Sequence, residues 1–133
     1  MMQRDITSIP EIPHMPALNF MKHLAPLVEQ GVKTHTVRKR RKVPIEVGDR
    51  LALFTGMRSP RCRRLLETTC SRVQQIALCE NGLLIIDGRA LSNKMADRFA
   101  RADGLESYAE LRRFIAGNYG IPFDGVIIHW PAP

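Results

Sequence analysis

Lys33, Thr34 and Thr36 follow a glycine in the stretch GVKTHTVRKRRK, which runs from Gly31 to Lys42. The Lys-Thr-x-Thr spacing brings an amine and two hydroxyls into one short segment. A threonine hydroxyl is inert as a nucleophile until a base takes its proton. A lysine can be that base only when its pKa falls by a few units from ~10.4, which burial and neighbouring cations bring about. Cations are at hand, because Arg38, Lys39, Arg40, Arg41 and Lys42 follow without interruption. The same run has a second use. Set against a phosphate backbone, it gives binding that weakens with salt, with a log–log slope of about −0.7 per phosphate contacted on a single strand. Arg61, Arg63 and Arg64 extend that strip. A solvated loop would also carry such charges.

The elements that position these residues set a condition on the chemistry. In a regular strand Lys33, His35 and Val37 share one face, and Thr34, Thr36 and Arg38 share the other. Lys33 and Thr36 therefore converge only if Lys33 lies in a turn before the strand begins. Gly31 makes such a turn possible.

The chain has 133 residues, 44% hydrophobic and 25% charged, which describes one globular domain. Residues 1–75 hold 14 Lys and Arg against 6 Asp and Glu, whereas residues 76–133 hold 6 against 7. A basic half beside a near-neutral half implies a surface facing a polyanion. No apolar run approaches the ~20 residues that span a bilayer, and the N-terminus has no continuous apolar core. A cytoplasmic protein is expected. Cys62, Cys70 and Cys79 form no C-x-x-C, and His14, His23, His35 and His129 stand at no metal-like spacing from them. Reduced thiols, no metal and no cofactor are expected.

Three prolines make residues 1–16 an extended segment, with one domain over 17–133. From Ala17, the spacing of Leu18, Met21, Leu24, Leu27 and Val28 predicts a helix, kinked at Pro26 and ended by Gly31. VKTHTVRK and RLALFTG read as strands, and TTCSRVQQIAL as one long strand. Asn81-Gly82 is a hairpin signal, with LLIIDG returning as a strand. Ser92 caps a helix whose inner stripe is Met95, Ala96, Phe99 and Ala100. Ser107 and Glu110 form a capping box for the next, with Tyr108, Leu111, Phe114 and Ile115 inward. FDGVIIHW closes the chain as a strand. Five or six strands, mostly consecutive, with three helices predict an α+β fold that is mainly antiparallel. Phe20, Leu53, Ile85, Phe99, Leu111 and Ile127 are the expected core. Trp130, Tyr119 and Phe123 are the aromatics available to stack on a base.

Three segments in order, GVKTHTVR after a helix, then VGDRL, then ADGLESYAELRRF leading to a final strand, resemble the ASCH domains. These are small relatives of the PUA RNA-binding fold, and the resemblance covers roughly residues 17–130. It implies a small β-barrel flanked by about three helices, with a cleft for RNA or a modified nucleoside. One branch of the family is a metal-independent amidohydrolase that deacetylates N4-acetylcytidine, and another member is a ribonuclease. The branch's lysine and second threonine correspond to Lys33 and Thr36. Its catalytic glutamate falls at or near Asp103, an aspartate here, with Glu106 as substitute carboxylate. Asp103 would protonate the leaving amine or orient water. If Asp103 instead pairs tightly with Lys33, the lysine stays charged and the site is a binding pocket. The residues expected to contact RNA or nucleoside are Thr34, Arg38, Lys39, Arg40, Arg41, Lys42, Arg61, Arg63 and Arg64. Binding ranks first, hydrolysis second, and a basic protein-interaction module third.

Overall fold

The computed structural model describes residues 15–133, so the N-terminal segment expected over residues 1–16 lies outside the described residues except at its end. The chain opens with β1 (Ala17–Phe20), a 3-10 turn (Lys22–Leu24) and a short α1 (Ala25–Glu29). β2 (His35–Lys39), β3 (Arg50–Thr55), β4 (Arg63–Thr69) and β5 (Arg72–Leu78) follow. After β6 (Leu84–Ile86) and β7 (Arg89–Ala90) come α2 (Asn93–Ala102), α3 (Tyr108–Asn118) and β8 (Phe123–His129). The fold is α+β. Among the described residues the strands form a three-stranded sheet, β1-β3-β4, and a five-stranded sheet, β2-β8-β5-β6-β7. Every pairing is antiparallel except β1 with β3. No ladder joins the two sheets into a closed barrel among the described residues.

Two cores follow from this layering. Leu18, Phe20, Leu51, Leu53, Ile128 and Trp130 fill the space between the sheets. Ile76, Leu78, Leu84, Leu111, Ile115 and Ile127 pack under α2 and α3. Of the expected core, Phe20, Leu53, Leu111 and Ile127 are buried, and Phe99 is half-buried against the helical core. Ile85 is a correction. Successive strand residues point to opposite faces, and Leu84 and Ile86 take the inward positions. Met95 is exposed, so the inner stripe of α2 narrows to Ala96, Phe99 and Ala100.

Residues 17–24 are the larger correction. Leu18 and Phe20 are buried and Asn19 is exposed, the alternation of a strand that pairs with β3. The three-and-four spacing arises by running across a strand, a tight turn and a five-residue helix with Pro26 in its first turn. The expected long strand is two strands. It breaks at Cys70-Ser71, where Cys70 N–H donates to Asp49 O (2.8 Å) and Ser71 N–H donates to His129 O (2.9 Å). The chain changes sheet between those two bonds.

Candidate functional site

Lys33 precedes β2, which begins at His35. Gly31 adopts φ +77°, and the Val32 and Lys33 amides both donate to Leu27 O, at 2.9 and 3.0 Å. This turn ends α1 and leaves Lys33 ahead of the strand, and Lys33 and Thr36 line one pocket, which satisfies the condition for them to share a space.

Asp103 is placed by the end of α2. Gly104 N–H donates to Arg101 O (3.1 Å) and Leu105 N–H donates to Ala100 O (2.9 Å), with Gly104 at φ +98°. This paired closure satisfies the last helical carbonyls and fixes where Asp103 sits. A Cβ at Gly104 would lie 2.7 Å from Leu24 Cδ2 and 3.8 Å from Lys33 Cδ. Gly104→Ala is therefore expected to cost about 1–3 kcal/mol, from the backbone conformation and the crowding together. A shift of the urea midpoint at unchanged slope would register it, and an unchanged midpoint would contradict the assigned turn.

The Lys33 amine donates to the Asp103 carboxylate at 2.6 Å and to Asp103 O at 2.7 Å. Both residues are buried. Burial lowers the Lys33 pKa and raises that of Asp103, while their mutual attraction opposes both shifts. His35 Nε2 lies 3.4 Å from the same carboxylate oxygen but makes no hydrogen bond. Burial first, then the charges of Lys33 and His129, push the His35 pKa down to about 3. His35 is thus neutral and is no salt-bridge partner.

Thr36 is buried, and its Oγ1 accepts a 3.1 Å hydrogen bond from Arg38 Nε. Arg38 Nη2 also donates to Asn19 O at 2.6 Å, and its guanidinium lies 5.0 Å from the Phe20 ring centroid. Among the described residues Arg38 has no carboxylate in ion-pairing contact. Burial lowers its pKa, while Tyr119 and Asp103 raise it.

Lys33, Thr36, Arg38 and Asp103 all line one pocket of about 220 Å³, walled by Phe20, Phe114 and Tyr119. Pockets for drug-sized ligands run ~300–1,000 Å³, so this one suits a single ring. The remaining expected residues lie elsewhere. Thr34 offers its carbonyl to Trp130 N–H (3.0 Å). Arg40 pairs with Asp124 (3.0 Å), Arg63 with Glu29 and Arg64 with Glu67 (2.7 Å). Arg41 borders a second cleft over Ile45, Val73 and Val126. Lys39, Lys42 and Arg61 are exposed, as is Glu106, whose amide donates to Glu110 Oε1 (2.7 Å). Trp130 and Phe123 are buried in the cores, which leaves Tyr119 of the three expected aromatics on the pocket wall. Among the described residues no cluster of His, Cys, Asp and Glu is arranged to hold a metal, and no helix is long and apolar enough to cross a membrane.

His35, Asn19 and Phe20 were not anticipated as site residues. Alternation with Lys33 was the available signal for His35, and nothing local marked the other two. Compared with family models, curated proteins and solved structures, the chain finds no match.

Proposed function

We propose that this protein is an ASCH-type, PUA-like domain that takes one base of an RNA, or a modified nucleoside, into the Lys33–Asp103 pocket. The observation that carries the reading is Arg38, a pocket cation without a carboxylate partner among the described residues, set beside Phe20 in a cavity the size of one ring. Such a cation suits a phosphate or a polar base edge, and aromatic walls suit a base face. Lys33 favours binding over base catalysis, because two short hydrogen bonds to Asp103 occupy its amine. The basic flank from Lys39 to Lys42 would then run beside the nucleic-acid backbone, in a cytoplasmic setting.

Hydrolysis of N4-acetylcytidine, or of RNA, is the second reading. The observation favouring it is the lowered Lys33 pKa in a pocket that also holds Thr36. It requires the Lys33–Asp103 pair to loosen when substrate enters, and Thr36 to leave Arg38.

Fluorescence anisotropy with a short single-stranded RNA between about 50 and 200 mM salt tests the binding reading. Affinity should fall with salt. Tyr119→Ala should weaken binding roughly 5- to 150-fold, the worth of one stacked base. Arg38→Ala should weaken it and flatten the slope. Arg40→Ala should change less, since Arg40 is already paired with Asp124. Affinity indifferent to both salt and Arg38 would end the reading. RNA that fails to compete with an acidic protein for this face would favour the interaction module.

A further inference from the structure

Among the described residues β2 is an edge strand, paired only with β8. Its register sets His35 opposite His129 and Lys39 opposite Gly125, and one step back sets Thr34 opposite Trp130. Trp130 N–H donates to Thr34 O at 3.0 Å. In an antiparallel ladder, residues that exchange hydrogen bonds alternate with residues whose amides point away from the partner. Thr34, Thr36 and Arg38 therefore turn their amides toward β8, and His35, Val37 and Lys39 turn theirs outward. The far side of β8 agrees, because His129 O faces away from β2 and accepts from Ser71 N–H at 2.9 Å.

Val37 belongs to the pocket lining, although its side chain is buried in the core under α2 and α3. The register turns the Val37 N–H and C=O away from β8, to the side of β2 that faces β1. Across the gap stands β1, and Arg38 spans the space by donating to Asn19 O at 2.6 Å. The pocket is the space between the facing edges of two sheets. An extended peptide could in principle pair with such an edge. Here the Arg38 bridge crosses the gap and Lys33–Asp103 closes its floor, leaving about 220 Å³, room for one ring and not for a strand. A backbone donor and acceptor set side by side, with no strand on that side among the described residues, ask for a planar partner carrying the complementary pair.

We infer that the outward N–H and C=O of Val37 read a pyrimidine base by its hydrogen-bonding edge, the N–H donating to an acceptor on that edge and the C=O accepting from the neighbouring N–H. This deepens the proposed base-binding function and rests on it. Cytosine supplies N3 and the N4–H. Uracil supplies O4 and the N3–H. The contact holds the ring in plane while Arg38 and Tyr119 contribute from the sides. No side-chain substitution at position 37 removes it, because the contact is main chain.

The experiment uses the full chain labelled uniformly with 15N, its pocket amides assigned, titrated with cytidine and with uridine, and with their blocked forms N4,N4-dimethylcytidine and N3-methyluridine. The Val37 amide resonance should move downfield as at least one unmodified nucleoside binds. Its blocked form should bind roughly 5- to 150-fold more weakly, as expected when a buried acceptor loses its donor. A variant with an ester in place of the Thr36–Val37 amide removes the N–H that lies outside the ladder. It should bind the nucleoside more weakly while its thermal transition shows that it is folded. If a nucleoside binds, with other pocket resonances moving and its blocked form binding equally, while Val37 stays still, the inference is overturned and the base-binding reading survives. If neither nucleoside perturbs any pocket resonance, both are overturned.

Discussion

Lys33→Ala should destabilise the protein by about 3–5 kcal/mol, the cost of leaving one member of a buried ion pair alone. The Lys33 amine and Asp103 carboxylate meet at 2.6 Å with almost no solvent access. Removing the amine also strips Asp103 O of its 2.7 Å hydrogen bond at the end of α2. Replacing both members, Lys33→Met with Asp103→Leu, should recover most of the loss, because apolar substitutes of similar volume carry no desolvation cost. A double-mutant cycle in urea measures the coupling. The single variant has its own pH signature. Without Lys33, burial still raises the Asp103 pKa and its principal opposing charge is gone. A carboxyl whose folded pKa is raised favours the fold at low pH and opposes it as pH climbs through that value. The deficit of Lys33→Met should therefore be smallest near pH 4 and grow toward pH 7. A single variant within 1 kcal/mol of wild type, where a broken buried pair should cost several, would show that the pair is not closed in solution. The double variant also separates roles, since it should fold and yet bind no base.

Acid should weaken the fold through His35 before it acts on most of the carboxylates. The His35 pKa falls from 6.5 to about 3 on folding, a difference worth roughly 4–5 kcal/mol at ~1.36 kcal/mol per unit. A depressed pKa contributes stability that is complete above pH 6.5 and drains away as pH falls toward about 3. The groups around the ring are Lys33, the Asp103 carboxylate at 3.4 Å, Phe99 at 5.1 Å and His129 at 5.4 Å. The His129 pKa is also lowered, by burial and by Arg72, and it acts in the same direction. Glu29, Glu67 and Asp87 have lowered pKa values too, but unfolded carboxyls begin to take up protons only near pH 4.5 and below. Between about pH 6.5 and 4.5 the decline therefore belongs to the histidines, with Asp103 opposing it. Thermal unfolding followed across that window should show a falling midpoint that flattens markedly in His35→Leu. A midpoint as steep in the variant as in wild type would assign the acid sensitivity elsewhere.

The turn that delivers Lys33 was readable because its cause is local. Gly31 ends α1, and the β-branched run after it begins β2. The caps of α2 and α3 were equally local, with Ser92 and Ser107 each accepting an amide hydrogen bond three residues on, both at 3.2 Å. β1 was hidden because its inward residues, Leu18 and Phe20, are followed by Leu24 and Val28 at spacings that imitate a helix. Only its pairing with β3, some thirty residues away, makes it a strand. The break at Cys70 was hidden for a similar reason, since both flanking segments have strand composition and only the change of partner separates them. The charge state of His35 was beyond local reach. It depends on Phe99 and Asp103, brought in by α2 from more than sixty residues along the chain.

The route of the chain between the sheets bears on what can be removed from it. The three-stranded sheet uses residues 17–20, 50–55 and 63–69, yet β2, residues 35–39, is spent on the other sheet. Among the described residues the only strand paired with β2 is β8, at the far end of the sequence. Neither sheet is thus a contiguous piece of polypeptide. A fragment ending near Cys70 would keep the β1-β3-β4 ladder but leave β2 with no strand to join, and a fragment starting there would lack β2 altogether. The interleaving ties the two layers together, so a single unfolding transition is the expected result. The pocket lies on the seam where these two interleaved halves meet, which makes its integrity a direct report on whether the entire molecule is assembled.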